Sequence, residues 1–230
     1  MNRTLNVVRM QLVNRQTFIW IPLIVLAGAF AITMAIHLAI TSLGGEVQIY
    51  LGAQTPMWYF AIVGAQSLTL TFPFAQAMSV TRREFHLGTL LTTALTTLVL
   101  TALMMAGALV ELATGGWGMD AFFFYTPALW GGHVLVAGLG YFTLTMLFFS
   151  FGFWGATIYK RFGGVALTTT LVALALAIVG GLWVAGRLNA WSQLGAWFVA
   201  QGVLGLSLWG LLLIAALAAI SSVSLRRAVP

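Results

Sequence analysis

Cysteine is absent from the 230-residue chain and charge is scarce, with 4 Asp and Glu, 10 Lys and Arg, and 6% charged residues in all. Without cysteine there is no disulfide framework to staple a small secreted domain, and no thiolate to hold a metal. An ordinary soluble domain carries about 25% charged residues, because its surface must be solvated. So few charges cannot coat a soluble globule of this length, which excludes a cytosolic enzyme. What is present instead is apolar: hydrophobic residues make up 61% of the chain and the mean hydropathy is +1.01. That content also excludes a disordered chain. The composition is that of an integral membrane protein.

A hydrocarbon core about 30 Å thick takes roughly 20 apolar residues per crossing helix. Six apolar runs meet that length, at about 17–41, 57–80, 86–112, 128–158, 163–186 and 197–222. The sequence therefore predicts an all-α, polytopic membrane protein of six transmembrane helices. The first run, from Phe18 to Ile40, is too long for the apolar region of a signal peptide and is read as a span. The breaks between runs carry turn chemistry and most of the charge, as in Leu43-Gly44-Gly45-Glu46, Thr81-Arg82-Arg83-Glu84 and Tyr159-Lys160-Arg161-Phe162.

With the N-terminus placed in the cytoplasm, the inner segments hold Arg3, Arg9, Arg15, Arg82, Arg83, Lys160, Arg161, Arg226 and Arg227. The outer connections hold Arg187, together with Glu46 and Asp120. This asymmetry follows the positive-inside rule and predicts a multi-pass protein of the cell membrane with both termini cytoplasmic. The sequence isoelectric point of 10.6 invites a nucleic-acid partner. The basic residues are scattered between apolar runs and form no basic face, so none is predicted. Trp58, Trp117, Trp130, Trp191 and Trp197 fall near the outer ends, where an aromatic belt belongs.

Catalytic chemistry is missing as well. His37, His86 and His133 lie in different segments, and no His-Glu-x-x-His or Gly-x-Ser-x-Gly occurs. The one lysine, Lys160, is followed by Arg161, which excludes the Gly-Lys-Ser/Thr phosphate loop. No catalytic residue, metal ligand set or cofactor site is predicted. Ion-coupled carriers keep ionisable groups deep in the membrane, and the candidate here is Glu111, near the outer end of the third run. It reads either as an interfacial residue reaching headgroups or as a group facing a polar cavity.

The most informative stretch is Ser79-Val80-Thr81-Arg82-Arg83-Glu84-Phe85-His86-Leu87-Gly88-Thr89-Leu90-Leu91. Thr81 is a helix N-cap candidate, and Glu84 stands at the capping-box position three residues on. The loop is read either as a short capped helix on the inner membrane surface, anchored by Phe85, or as an ordinary charged turn. Upstream, at about 100° per residue, Met1, Leu5, Val8 and Leu12 fall on one side of a helix, with Arg3 and Arg9 elsewhere. Such a helix lies in the interface with its apolar stripe in lipid.

An amphipathic N-terminal segment followed by six spans with cytoplasmic ends resembles the permease subunit of an ABC-2-type exporter. The 79–91 segment is similar to that family's loop between its second and third spans: a small residue, a Ser or Thr, paired basic residues, an acidic or polar residue, an aromatic, then Leu-Gly. The resemblance implies an elbow helix over 1–16, a transmembrane domain over 17–230 and a coupling loop near 79–88. Thr81, Arg82, Arg83, Glu84, Phe85 and His86 would seat in a groove of a separate cytoplasmic ATP-binding subunit, with Lys160 and Arg161 in a second inner loop nearby. ATP and Mg would be bound by that partner, and this chain would not itself be an enzyme. Two permease chains, alike or different, would pair around the path within the lipid bilayer. In many members re-entrant helices join the fifth and sixth spans. Here about Arg187 to Ala196 is available, so that feature is predicted to be short or missing.

Thr89, Thr93, Thr97 and Thr101 recur four apart on the third run and drift slowly around one side. They read either as polar packing or as the lining of a translocation path, along with Gln66, Thr69 and Gln76. Small residues four apart at Ala27, Ala31 and Ala35, and at Ala173, Ala177 and Gly181, permit close helix approach. The expected function is export of a hydrophobic or amphiphilic peptide, drug or lipid-like molecule. The alternative is a non-transporting assembly or sensor subunit that docks through the same loops.

Overall fold

A computed structural model describes residues 3–45, 54–130 and 133–226. Met1, Asn2, the connection holding Glu46, and Arg227 lie outside the described residues. Within them the protein is helical, with no strand. Helix α1 is Arg3–Val13 and α2 is Ile21–Ser42; α3 (Thr55–Gln66) continues through a π-helical turn into α4 (Phe72–Ala77). Helix α5 is Arg82–Thr114, α6 is Val134–Arg187 and α7 is Trp191–Arg226. Among the described residues four stretches are long and apolar enough to cross a membrane: Gln16–Ser42, Arg82–Thr114, Val134–Arg187 and Trp191–Leu225.

Proline explains two of the irregularities. A proline ring inside a helix clashes with the carbonyl four residues back and lacks an N–H. Ahead of Pro22 the chain widens into a π turn over Gln16–Trp20, and ahead of Pro73 it does so over Ser67–Thr71. In each the closing N–H reaches five residues back, from Ile21 to Gln16 and from Phe72 to Ser67. The wider turn relieves the clash with Phe18 and Thr69, and the helix resumes. The second apolar run is therefore a composite of α3, the π turn and α4.

Glycine explains the other two. Gly163 interrupts α6 with φ 84° and ψ 177°, and Gly202 interrupts α7 with φ 57° and ψ −173°. These are left-handed conformations that a side chain disfavours. A Cβ on Gly155 would lie 3.7 Å from Leu167, and the rings of Trp197 and Trp209 are 6.4 Å apart. Residues twelve apart in a straight helix are separated by about 18 Å, so the chain bends back sharply at both glycines. The predicted fifth run accordingly starts beyond Gly163. Two predicted boundaries need correction. The fourth run begins at Val134, since Leu129 and Trp130 sit in a turn closed on the Thr126 carbonyl. The sixth, expected over 197–222, is divided at Gly202 into a short helix over 191–201 and a longer one from 203.

Packing concentrates on α1, α3, α4, α5, the 134–162 part of α6 and the end of α7. Phe60, Phe85, Met104 and Phe149 are fully enclosed there, as is Phe123 of the connection between α5 and α6. Helices α3 and α6 meet through paired glycines: a Cβ on Gly64 would fall on the Phe149 carbonyl oxygen, and one on Gly152 on the Ala61 carbonyl oxygen. Missing side chains let the two backbones touch, which is where helix association in lipid gains its packing energy. By contrast 171–184 and 191–200 face outward along their length, Val199 being 82% exposed.

Candidate functional site

The start of α5 is built by its own sequence. Thr81 adopts the extended conformation of an N-cap (φ −72°, ψ 152°). The Glu84 N–H donates to Thr81 Oγ1 at 3.3 Å, and the Thr81 N–H donates to Glu84 Oε2 at 3.0 Å. This reciprocal capping box satisfies two N–H groups that a helix end otherwise leaves open. It leaves Thr81 and Arg83 exposed and turns Phe85 and His86 inward.

Four other elements converge on that turn. The Phe85 ring lies 5.1 Å from Phe72 of α4, and the His86 ring 5.4 Å from Phe153 of α6. Arg82 donates from Nη1 to the Leu225 carbonyl of α7 at 2.9 Å. Helix α1 crosses one turn further on, where a Cβ at Gly88 would stand 2.6 Å from the Val7 side chain. There Gln11 Nε2 donates to Thr89 Oγ1 at 2.7 Å. The N-terminal helix thus has two faces: Val7, Val8 and Gln11 are buried, while Leu5 is 49% exposed. Val8, assigned to the lipid stripe by its periodicity, belongs to the protein side.

The Lys160–Arg161 segment lies at the same end of the molecule. Lys160 is exposed and Arg161 sits 4.6 Å over the Phe162 ring. Lys160 is seven residues beyond Phe153, or about 10 Å along the helix. The arrangement places exposed cations, Arg83 and Lys160, at the end of the molecule that carries the capped helix terminus. Among the described residues no three His, Asp or Glu side chains gather as a metal site would require.

The polar residues of the middle spans do not share one cavity. Thr89, Thr93 and Thr97 are fully buried within the chain. The hydroxyl of Thr93 bonds back to the Thr89 carbonyl, and Thr92 likewise to Gly88, both at 2.9 Å. Thr97 and Thr101 have Oγ1 atoms with no partner in the structure. Gln66 lines a small cavity of about 110 Å³ with Gln11, Asn14, Thr17 and Thr71. Thr69 and Gln76 are half-buried, and the Thr69 hydroxyl bonds to the Ala65 carbonyl.

Glu111 has neither of the two roles open to it from sequence. It is fully buried, and each oxygen of its carboxyl accepts two N–H groups. Oε1 takes Trp117 Nε1 at 2.8 Å and the Phe123 N–H at 2.9 Å; Oε2 takes the Phe124 and Tyr125 N–H groups at 2.8 Å. Helix α5 ends at Gly115 (φ 60°), and positive φ at Gly116, Trp117 and Gly118 turns the chain back over that carboxyl. The Phe122–Tyr125 run then closes the end of the molecule away from Thr81, with Phe123 buried and Phe30 of α2 5.5 Å from it. Tyr141 of α6 ties the cap from below by donating to the Phe124 carbonyl at 2.7 Å. Side-chain motifs gave no sign of this clasp, because three of its four donors are main-chain groups. The signal available was Gly115-Gly116-Trp117-Gly118 beginning four residues after a lone helix-end carboxylate.

Comparison with protein-family models, with curated proteins and with solved structures returned no match.

Proposed function

We propose that this chain is the transmembrane permease subunit of an ATP-driven exporter. It would be powered by a separate ATP-binding subunit docked on the start of α5. The observation that carries the reading is the mechanical arrangement of Thr81–His86. Its outer surface presents Thr81 and Arg83, and its inner surface is clamped by α4, α6 and α7, with α1 one turn away. A push on such an element moves several spans together, and a loose charged turn has no such leverage.

In this reading the chain crosses the membrane six times: α2, the α3–α4 composite, α5, the two parts of α6 separated at Gly163, and α7 beyond Gly202. Helix α1 and the end of α7 meet the start of α5, in keeping with both termini in the cytoplasm. The helix over 191–201 is a short counterpart of the re-entrant segment between the last two spans. ATP and Mg belong to the partner. Closure of that partner displaces Thr81–His86, with Lys160 and Arg161 as a second contact, and turns an inward-open cleft outward. The cargo, a hydrophobic or amphiphilic peptide, drug or lipid-like molecule, must bind the two states unequally, or the cycle does no transport work. A second permease chain completes the path, which Gln66, Thr69, Gln76, Thr89, Thr93 and Thr97 help to line once the spans separate. Ala27, Ala31, Ala35, Ala173, Ala177 and Gly181 face outward on the single chain and are open to that second copy.

The test is charge reversal at Arg83. Arg82 is the wrong probe, since its guanidinium holds the Leu225 carbonyl. R83E is expected to insert normally and to lose co-purification of the ATP-binding subunit by about tenfold, equivalent to ~1.4 kcal/mol. Undiminished co-purification and transport would reduce the loop to a topology signal. A captured partner without ATPase activity would favour the assembly or sensor reading.

A further inference from the structure

Between the first turns of α5 and the last turns of α7 runs a groove of about 280 Å³. One end is polar, with Arg83, His86 and Ser222; its walls continue over Leu87, Leu90 and Ala219. His86 is 6% exposed, lines the groove and has an Nδ1 atom with no hydrogen-bond partner. An imidazole nitrogen enclosed in this way is at a cost unless something supplies a donor or acceptor. The wall residue Leu87 is 45% exposed. Both flanking helices are long and apolar enough to cross a membrane, which would set the apolar wall of the groove at the level of hydrocarbon.

A ligand that satisfies both ends has an anionic head and an apolar tail. We infer that the groove binds an anionic glycerophospholipid of the inner leaflet. The phosphate sits at Arg83 and the positive end of α5, where a helix N-terminus favours an anion. A headgroup donor, such as a phosphatidylglycerol hydroxyl, reaches the His86 Nδ1 and the Ser222 oxygen, whose own proton goes to the Ala219 carbonyl, and an acyl chain follows Leu87, Leu90 and Ala219. The net charge of +6 at pH 7 favours the same sign of ligand. The inference rests on the membrane reading of the long helices and not on the exporter reading.

Native mass spectrometry of the detergent-purified full chain tests it, with palmitoyl-oleoyl phosphatidylglycerol and the matching phosphatidylcholine at equal concentration. The phosphatidylglycerol adduct is expected to exceed the phosphatidylcholine adduct by about fivefold, the effect of roughly one basic residue at an anionic surface. Ala219→Trp fills the groove from the exposed side of α7, and Arg83→Gln removes its cation; each is expected to bring the two adducts level. Excess glycerol 3-phosphate is expected to leave the lipid adduct in place. Equal retention of both lipids by the wild type, or an unchanged preference in both variants, overturns the proposal. Displacement by glycerol 3-phosphate overturns it too, in favour of a soluble phosphate. A219W keeps Arg83, so it should lose the lipid and keep the ATP-binding partner. The two readings can therefore fail separately.

Discussion

Glu111 and Arg83 show how differently two charged residues serve one chain. The Glu111 carboxyl is sealed by four N–H donors and organises the 116–125 cap from within. Replacing it with Gln keeps the shape but puts an NH₂ group in front of two of those donors. Leaving buried donors unmatched costs about 1–3 kcal/mol each. E111Q is therefore expected to lower the melting temperature and to speed amide exchange at Phe123–Tyr125. Exchange there as slow as in the wild type would contradict the clasp. At the other end Thr81 is a local device whose residue pattern announces it, and T81A is expected to destabilise the start of α5 by about 0.5–2 kcal/mol, read as faster exchange over 82–85. The capping box was legible because its partners are three residues apart. The clasp was not, because its donors lie up to fourteen residues on and belong mostly to the main chain. The tie from Arg82 to Leu225 spans 143 residues and leaves no local trace at all.

Among the elements, glycine decides where helices touch and where they end. The pair Gly64 and Gly152 brings α3 and α6 into backbone contact, so G64V or G152V must push the helices apart. Overpacking of this kind costs about 1–3 kcal/mol and sometimes more, and each variant is expected to lose monodispersity or thermal stability in detergent. Gly28 of α2 has nothing within 4 Å of a would-be Cβ, and G28A is expected to be neutral or slightly stabilising. Equal behaviour of G152V and G28A would contradict the packing. Long apolar helices were readable from length and hydropathy, and so was the helical class. The interface was not. Stripes of small residues four apart drew attention to Ala27–Ala35, which faces outward, whereas the close approach uses single glycines on two distant helices. The break at Gly202 was hidden for a similar reason: glycine and alanine are common throughout these helices, and hydropathy does not change across the turn.

For the whole molecule, the start of α5 joins five elements: α1, α4, α5 itself, α6 and α7. Helix α1, the last turns of α7 and the capped start of α5 pack together, while 171–184 and 191–200 face outward. The small groove lies at the same junction, so the proposed lipid and the proposed ATP-binding subunit would act on one structure. The most direct measurement is a mild-detergent pull-down of the tagged full chain from its native membrane, with mass spectrometry and an ATPase assay on the eluate. The account predicts a stoichiometric soluble subunit with a phosphate-binding loop and vanadate-sensitive ATP hydrolysis, both lost in R83E. A solitary chain across several detergents, with no associated ATPase, would contradict it.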